Sequence, residues 1–171
     1  MIKERLVDAI NEQINKELNS EYIYLDMATY FEKEGLTGFA QFFKVQVQEE
    51  RFHAMKFYQY LADRDGGIVL KELANPHHEY KSPMEVFEKA YAHEQYITNS
   101  INDLMSIAIE EKDYATVSLL NWFVDEQVEE EASMSEIIDK LKLIEGSGRG
   151  HGLMMLDKEL GARVFTPPTT A

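Results

Sequence analysis

Residues 43–57 read Phe-Lys-Val-Gln-Val-Gln-Glu-Glu-Arg-Phe-His-Ala-Met-Lys-Phe. Phe43, Val47, Ala54 and Phe57 recur at spacings that place them on one face of a helix, and Phe39 and Leu61 extend that face in both directions. Glu50 stands inside this apolar stripe, and His53, three residues on, projects from the same face. The intrusion recurs along the chain. Glu17 follows Ile10 and Ile14 and precedes Tyr24. Glu94 stands among Phe87, Ala90, Tyr91, Ile97 and Ile101. Gln127 stands among Leu120, Phe123, Val124 and Met134, with Glu130 three residues on.

The helix breakers divide the chain around these positions. Residues 5–33 read as a first helix, with Leu6, Ile10, Ile14, Leu18 and Leu25 at helical spacing. Glu34-Gly35-Leu36-Thr37-Gly38 turns the chain back into a second helix over 39–64, closed by Gly66-Gly67. Ser82-Pro83-Met84-Glu85 starts a third, with a serine cap, proline at the first helical position and glutamate at the third. It runs to about Glu111 and breaks at Lys112-Asp113. Asp113 then caps a fourth helix over 114–144, ended by Gly146-Ser147-Gly148-Arg149-Gly150. Leu153 to Leu160 reads as a small fifth helix before a loose Thr166-Pro167-Pro168-Thr169 tail. At about 3.3 Å per residue, the connection 66–82 can traverse a bundle lengthwise, which lets helices two and three lie parallel. The expected fold is all-α: a four-helix bundle over 1–145 with one long crossover between helices two and three. A turn and short C-terminal fifth helix (146–165) pack on the same domain, and 166–171 form a flexible tail.

The chain has 171 residues, no cysteine, and 17 basic against 31 acidic residues, for a formal charge of −14. A hydrophobic fraction of 44% supports one well-buried domain and excludes intrinsic disorder. The acidic balance disfavours nucleic acid and anionic membranes as partners and attracts metal cations. The absence of cysteine removes disulfide frameworks, zinc ribbons and thiol catalysis. No apolar run is long enough to span a bilayer, and Met1-Ile2-Lys3-Glu4-Arg5 turns charged at once, so the expected location is the cytoplasm.

Glu17 and Glu50 are 33 residues apart, as are Glu94 and Gln127, so two helix hairpins carry one polar pattern offset by 77 residues. All four positions lie near mid-helix and meet at one level whichever way the helices point. Ionised carboxylates buried together repel one another and lose hydration worth several kcal/mol each. Either they protonate and share hydrogen bonds, or a multivalent cation sits among them. A carboxylate-rich set with one imidazole suits iron or manganese, and Glu-x-x-His motifs on facing helices are how bundles hold two irons. Only one such motif is present, Glu50-x-x-His53. Its counterpart reads Gln127-x-x-Glu130, so the two metal positions differ.

Each residue also has a plainer reading. A lone core glutamate or helical histidine is often a satisfied structural hydrogen bonder, and it is the conjunction that points to metal. Glu49, Glu126 and Glu129 lie one residue off the ligand positions and read as an outer metal site, although Glu129-Glu130-Glu131 reads equally as a solvated face. Tyr24 is placed to reach the site or simply to pack with a tethered hydroxyl. Trp122 and Met154-Met155 read as packing. His77, His78 and His151 lie in glycine- or proline-rich stretches that face solvent, and His93 points away from the Glu94 face.

Glu17, Tyr24, Glu49-Glu50-Arg51-Phe52-His53, Glu94 and Glu126-Gln127-Val128-Glu129-Glu130 together resemble the non-haem bacterial ferritins, over essentially the full length from Glu4 to the fifth helix. The resemblance implies a ferroxidase centre. Glu17, Glu50 and His53 hold one iron and Glu94 and Glu130 the other, with Glu50 bridging and Gln127 orienting water or oxygen. Glu49, Glu126, Glu129 and Glu130 match the family's third iron site, and Tyr24 matches its tyrosine beside the centre. Two ferrous ions react with dioxygen or hydrogen peroxide, and the ferric product moves to a mineral core enclosed by 24 chains whose fifth helices meet at four-fold axes. Bacterioferritins place a methionine directly after the second-helix glutamate to hold haem; Arg51 stands there, so no haem is expected. One feature departs from the family: Ala115 to Leu120 contains no acid to line a three-fold channel, leaving Glu110, Glu111 and Asp113 as the nearby candidates.

Three other functions compete with iron storage. A non-storage di-iron oxidase or peroxidase shares the ligands, but Gln127 and the fifth helix favour the cage. A bundle whose acids merely nucleate mineral or scaffold partners predicts a broken inner set, whereas all six inner residues are present. A DNA-protecting mini-ferritin spaces its ligands differently.

Overall fold

A computed structural model describes residues 2–144 and 148–168. Among these residues five helices follow in order: α1 (Glu4–Glu34), α2 (Thr37–Asp63), α3 (Pro83–Glu110), α4 (Tyr114–Ile144) and α5 (Arg149–Leu160). The chain reverses after α1 at Gly35, whose φ of 76° is the left-handed conformation that ends helices and that glycine adopts without a Cβ clash. Ser82 accepts from the Glu85 backbone N–H at 3.1 Å with proline at the first turn of α3, and Asp113 accepts from the Thr116 N–H at 3.0 Å to start α4. The Gly146-Ser147 part of the expected break after α4, the 145/146 boundary and the end of the tail from Thr169 lie outside the described residues.

Ion pairs at the helix ends establish direction. Lys3 meets Glu111 at 2.6 Å and Arg5 meets Glu110 at 2.8 Å, so α1 begins where α3 ends. Arg64, just past α2, clasps Asp113 through two bonds of 2.7 and 2.9 Å at the start of α4. Helices α1 and α4 therefore run one way and α2 and α3 the other, which makes this a four-helix bundle with a single long crossover between α2 and α3. That crossover is strapped to α1 by two asparagines one helical turn apart. Asn11 donates to the Gly67 carbonyl at 2.7 Å and accepts from the Val69 N–H at 2.8 Å; Asn15 donates to the Val69 carbonyl at 3.0 Å and accepts from the Lys71 N–H at 2.7 Å. Their carboxamides supply the partners that a neighbouring strand would give an extended chain.

The core has two apolar halves. One gathers Phe31, Phe39, Phe43 and Phe87 with Met134 and Leu156; the other gathers Leu6, Ile10, Phe57, Leu61, Leu104 and Phe123. Glu17, Glu50, His53, Glu94, Gln127 and Glu130 are all buried, and their positions along the four helices place them between the two halves. The α1 seam differs from its expected course at one point. Leu25 is 46% exposed and Leu18 only half-buried, because the buried line runs one residue earlier through Glu17 and Tyr24.

Helix α5 starts four residues before the expected Leu153, directly after Gly148. Its Asp157 carboxylate accepts from the backbone N–H groups of Gly38 and Phe39 at 2.8 and 3.0 Å. These are orphan donors in the first turn of α2, which has no side-chain cap of its own and begins two residues earlier than expected. The approach is close enough to require glycine at 38: a Cβ there would land on the Asp157 carbonyl oxygen, and a Cβ on Gly161 would lie 3.2 Å from Gly38 Cα. Gly38→Ala is therefore expected to undock α5 while leaving α1–α4 folded, with a stability loss of about 1–3 kcal/mol. Hydrogen exchange should accelerate across 149–165 and stay slow around Glu50; unchanged protection of α5 would refute the close-approach argument.

Candidate metal centre

The six inner residues come from all four bundle helices, Glu17 from α1, Glu50 and His53 from α2, Glu94 from α3, Gln127 and Glu130 from α4. Glu17, Glu50 and His53 offer ligand atoms that all lie within 4.8 Å of one another, and all three residues are buried. His53 Nδ1 is 3.6 Å from Glu50 Oε2, while its Nε2 is 3.9 Å from Glu126 Oε2. The imidazole thus looks two ways, and a second group of His53, Glu126 and Glu130 meets the same 4.8 Å limit. Rings fix its plane: Trp122 and Phe123 stand edge-on at 5.5 and 5.9 Å, and Phe57 stacks on Phe123 at 3.9 Å.

Neutral donors hold the carboxylates in place. Gln13 donates to Glu17 Oε1 at 2.8 Å and is held in turn by the Ser100 hydroxyl at 2.6 Å. Gln46 donates to Glu130 Oε2 at 2.9 Å. The Tyr24 hydroxyl donates to Glu94 Oε1, and Gln127 Nε2 donates to Glu94 Oε2 at 3.1 Å. Glu94 is therefore occupied on both oxygens. Glu17 Oε2 and Glu50 Oε2 are not: both are buried and without a hydrogen-bond partner. Orphan carboxylate oxygens at such depth are costly unless a proton or a cation completes them.

The electrostatics follow from that burial. Loss of hydration, reinforced by Glu130, raises Glu17 from 4.5 to about 7. It raises Glu94 to about 8, again with Glu130 pushing upward against the bonds from Tyr24 and Gln127. Glu50 and Glu130 move upward for the same first reason. Burial acts oppositely on His53, which falls to about 4 with Lys56 assisting, so its ring is neutral and its lone pair free at neutral pH.

The outer residues divide. Glu126 faces His53, and burial with Glu130 nearby raises it to about 7. Glu49 is paired with Arg163 at 2.7 Å. Glu129 is exposed and joins neither ligand group. His93 bonds Ser20 at 2.8 Å and stands edge-on to Tyr24, off the ligand set. Glu110, Glu111 and Asp113, the acids nearest the start of α4, each carry an internal cation: Arg5, Lys3 and Arg64 respectively.

Gln13, Gln46, Thr98 and Arg163 join the layer without standing out in the apolar stripes. Thr98 receives Gln127 at 3.3 Å and donates to Glu131 at 2.6 Å. A signal existed for two of them: Gln13 and Gln46 each stand four residues before a candidate ligand glutamate, Glu17 and Glu50. Arg163 had none, because its partners are more than a hundred residues away.

The chain matches the family described as Ferritin-like domain over residues 7–144. It is 41% identical over 165 residues to the bacterial non-heme ferritin of Staphylococcus aureus (strain USA300), covering 96% of this chain and 98% of that one. To the probable bacterial non-heme ferritin-like protein of Haemophilus influenzae it is 40% identical over 161 residues, covering 94% and 96%. It is similar in structure to a humanized archaeal ferritin, with a TM-score of 0.95 at 47% identity over 98% of this chain and 100% of the other. The open-pore ferritin of the hyperthermophilic archaeon Archaeoglobus fulgidus superposes with a TM-score of 0.91 at 46% identity, over 95% and 98%. A bundle with this crossover, a carboxylate layer at its middle and near-full-length likeness to these proteins belongs to the ferritin family, among the non-haem bacterial ferritins.

Proposed function

We propose that this chain is an iron-storage ferritin with ferroxidase activity. Ferrous iron, its substrate, binds in the layer formed by Glu17, Glu50, His53, Glu94, Gln127 and Glu130. It is oxidised there by dioxygen or hydrogen peroxide and passes to a ferric mineral inside a cage of 24 copies. The observation that carries this reading is the pair of unpartnered buried oxygens, Glu17 Oε2 and Glu50 Oε2, facing a neutral His53. Two carboxylate oxygens and an imidazole nitrogen are hard and borderline donors that suit iron. Two ferrous ions release two electrons. Dioxygen takes them with two protons to give hydrogen peroxide, or hydrogen peroxide takes them with two protons to give two waters. Oxygen ligands favour the ferric state, which makes the oxidation downhill. Gln127, a carboxamide where a glutamate would bind firmly, lets the ferric product leave.

Three expectations follow from these roles. Stepwise addition of ferrous iron in air should give fast oxidation of about two ions per chain and then continued uptake of many more in soluble form. Saturation at two with later iron precipitating indicates a di-iron oxidase or peroxidase without storage. Glu50→Ala should slow the fast phase by on the order of 100-fold. The second expectation concerns protons. With Glu17 near 7 and Glu94 near 8, cation binding at pH 6.5 must expel protons, and the release should fade as pH rises past 8. Because these folded values lie above the unfolded 4.5, the folded chain holds extra protons in that window. The metal-free protein should therefore lose thermal stability as pH climbs from 6.5 through 8, and Glu94→Gln should flatten the decline. A profile that rises with pH would contradict the protonated layer. Third, Gln127→Glu should leave the first oxidation cycle fast and slow every later one; unchanged multiple-turnover kinetics would sink the release role.

A further inference from the structure

The segment after α5 does not trail away from the bundle. Gly161 ends α5 against Gly38, and the next residues turn back along α2. Gln41 donates to the Arg163 carbonyl at 3.2 Å, and Phe165 lies 6.4 Å from Phe52. Between these anchors the Arg163 guanidinium stacks over the Phe42 ring at 4.4 Å and donates to the Phe42 carbonyl at 3.4 Å. It donates to Glu49 Oε2 at 2.7 Å and to Gln46 Oε1. Gln46 passes the contact on, since its amide donates to Glu130 Oε2 at 2.9 Å. One guanidinium thus meets Glu49 directly and Glu130 through a single carboxamide. Its side chain is only 25% exposed and Glu49's 23%.

We propose that Arg163 is the resident cation of the outer carboxylate cluster formed by Glu49, Glu126 and Glu130, and that a metal ion enters this cluster only when the segment carrying Arg163 lifts away. This rests on the ferroxidase reading and adds a control point to it. The inner group of Glu17, Glu50 and His53 is open to a cation as folded, whereas Glu49 of the outer cluster already carries one. Geometry favours the arrangement. Glu126 and Glu130 converge on His53, Glu49 meets the same guanidinium that reaches Glu130 through Gln46, and a delocalised guanidinium is weakly hydrated enough to sit beside them. An arginine on a short segment is also displaceable. Multivalent ions accumulating at the inner centre repel it, and a multivalent ion replaces its single charge at Glu49. The C-terminal segment then acts as a plug on the route outward from the centre.

The test uses zinc, which is redox-inert, with the assembled full chain. Binding isotherms on the native protein, Arg163→Gln, Arg163→Lys and the double variant Arg163→Gln/Glu49→Gln count sites and affinities without any oxidation. The expected native result is binding at the inner set alone, abolished by Glu17→Ala/Glu50→Ala. Arg163→Gln should expose an additional site at least about tenfold tighter than any third binding to native protein, because Glu49 is left without its cation. The double variant should lose that site again, and Arg163→Lys should stay close to native. Hydrogen exchange across 161–168 should rise when the extra zinc binds to native protein at high concentration. A native protein that takes the third zinc as readily as Arg163→Gln, or an Arg163→Gln protein with no added site, overturns the plug. Failure of the inner set to bind zinc while Arg163→Gln still gains its outer site would overturn the ferroxidase reading and leave the plug standing.

Discussion

Carboxylates on every side of one short stretch of the bundle axis, with too few hydrogen bonds to satisfy them, are the constraint around which the rest of the molecule is arranged. Glu17, Glu50, Glu94 and Glu130 are taken out of water and set against one another. Desolvation and mutual repulsion of this kind oppose folding. The two apolar halves on either side, rich in phenylalanine at one end and in leucine and isoleucine at the other, provide the burial that tolerates such a layer. Protonation relieves it in the metal-free protein, which is why the acidic groups move toward and above neutrality.

How the layer is held matters as much as its charge. Gln13, Gln46, Tyr24 and Gln127 are neutral, and each fixes an oxygen of a carboxylate without compensating its charge. A lysine in any of these positions would form an ion pair and quench the attraction for a cation. A carboxamide or phenol orients the acceptor and leaves the field intact, so the set is pre-organised yet unsatisfied. The division of labour is visible within single residues. Glu17 Oε1 is occupied by Gln13 while Oε2 is left free, and His53 is positioned by aromatic edges that make no claim on its lone pair.

The four long helices and the parallel crossover were legible because breakers and caps are local. Ser82-Pro83 and Asp113 perform in the structure the capping their sequence context implies. The inner layer was legible for another reason: a glutamate in an apolar stripe violates the pattern that would otherwise decide a buried position. What escaped was everything fixed by distant partners. Asn11 and Asn15 look like ordinary polar residues of α1 until the crossover lies against them. The early start of α2 depends on Asp157, well over a hundred residues away, and Leu25 shows that spacing alone places a residue on the seam only to within one position. Arg163 is the extreme case, a single charge in a short terminal segment whose meaning comes wholly from where α5 delivers it.

That delivery separates two populations of acid in a chain of formal charge −14. Glu110, Glu111 and Asp113 at the bundle end, and Glu49 beside the centre, each have a basic partner from elsewhere in the fold. Among the described residues, Glu17 and Glu50 alone of the inner carboxylates keep a buried oxygen unpartnered. Net charge draws cations to the molecule as a whole. It does not choose where they stop, because an acid with an internal cation offers an arriving ion only an exchange. The stopping place is where the fold withholds a partner. By that criterion the inner layer is the site we propose, and the acids at the start of α4 are structural clasps between helices. The outer cluster stands between these two cases, holding a cation that belongs to the protein and is delivered by the segment after α5.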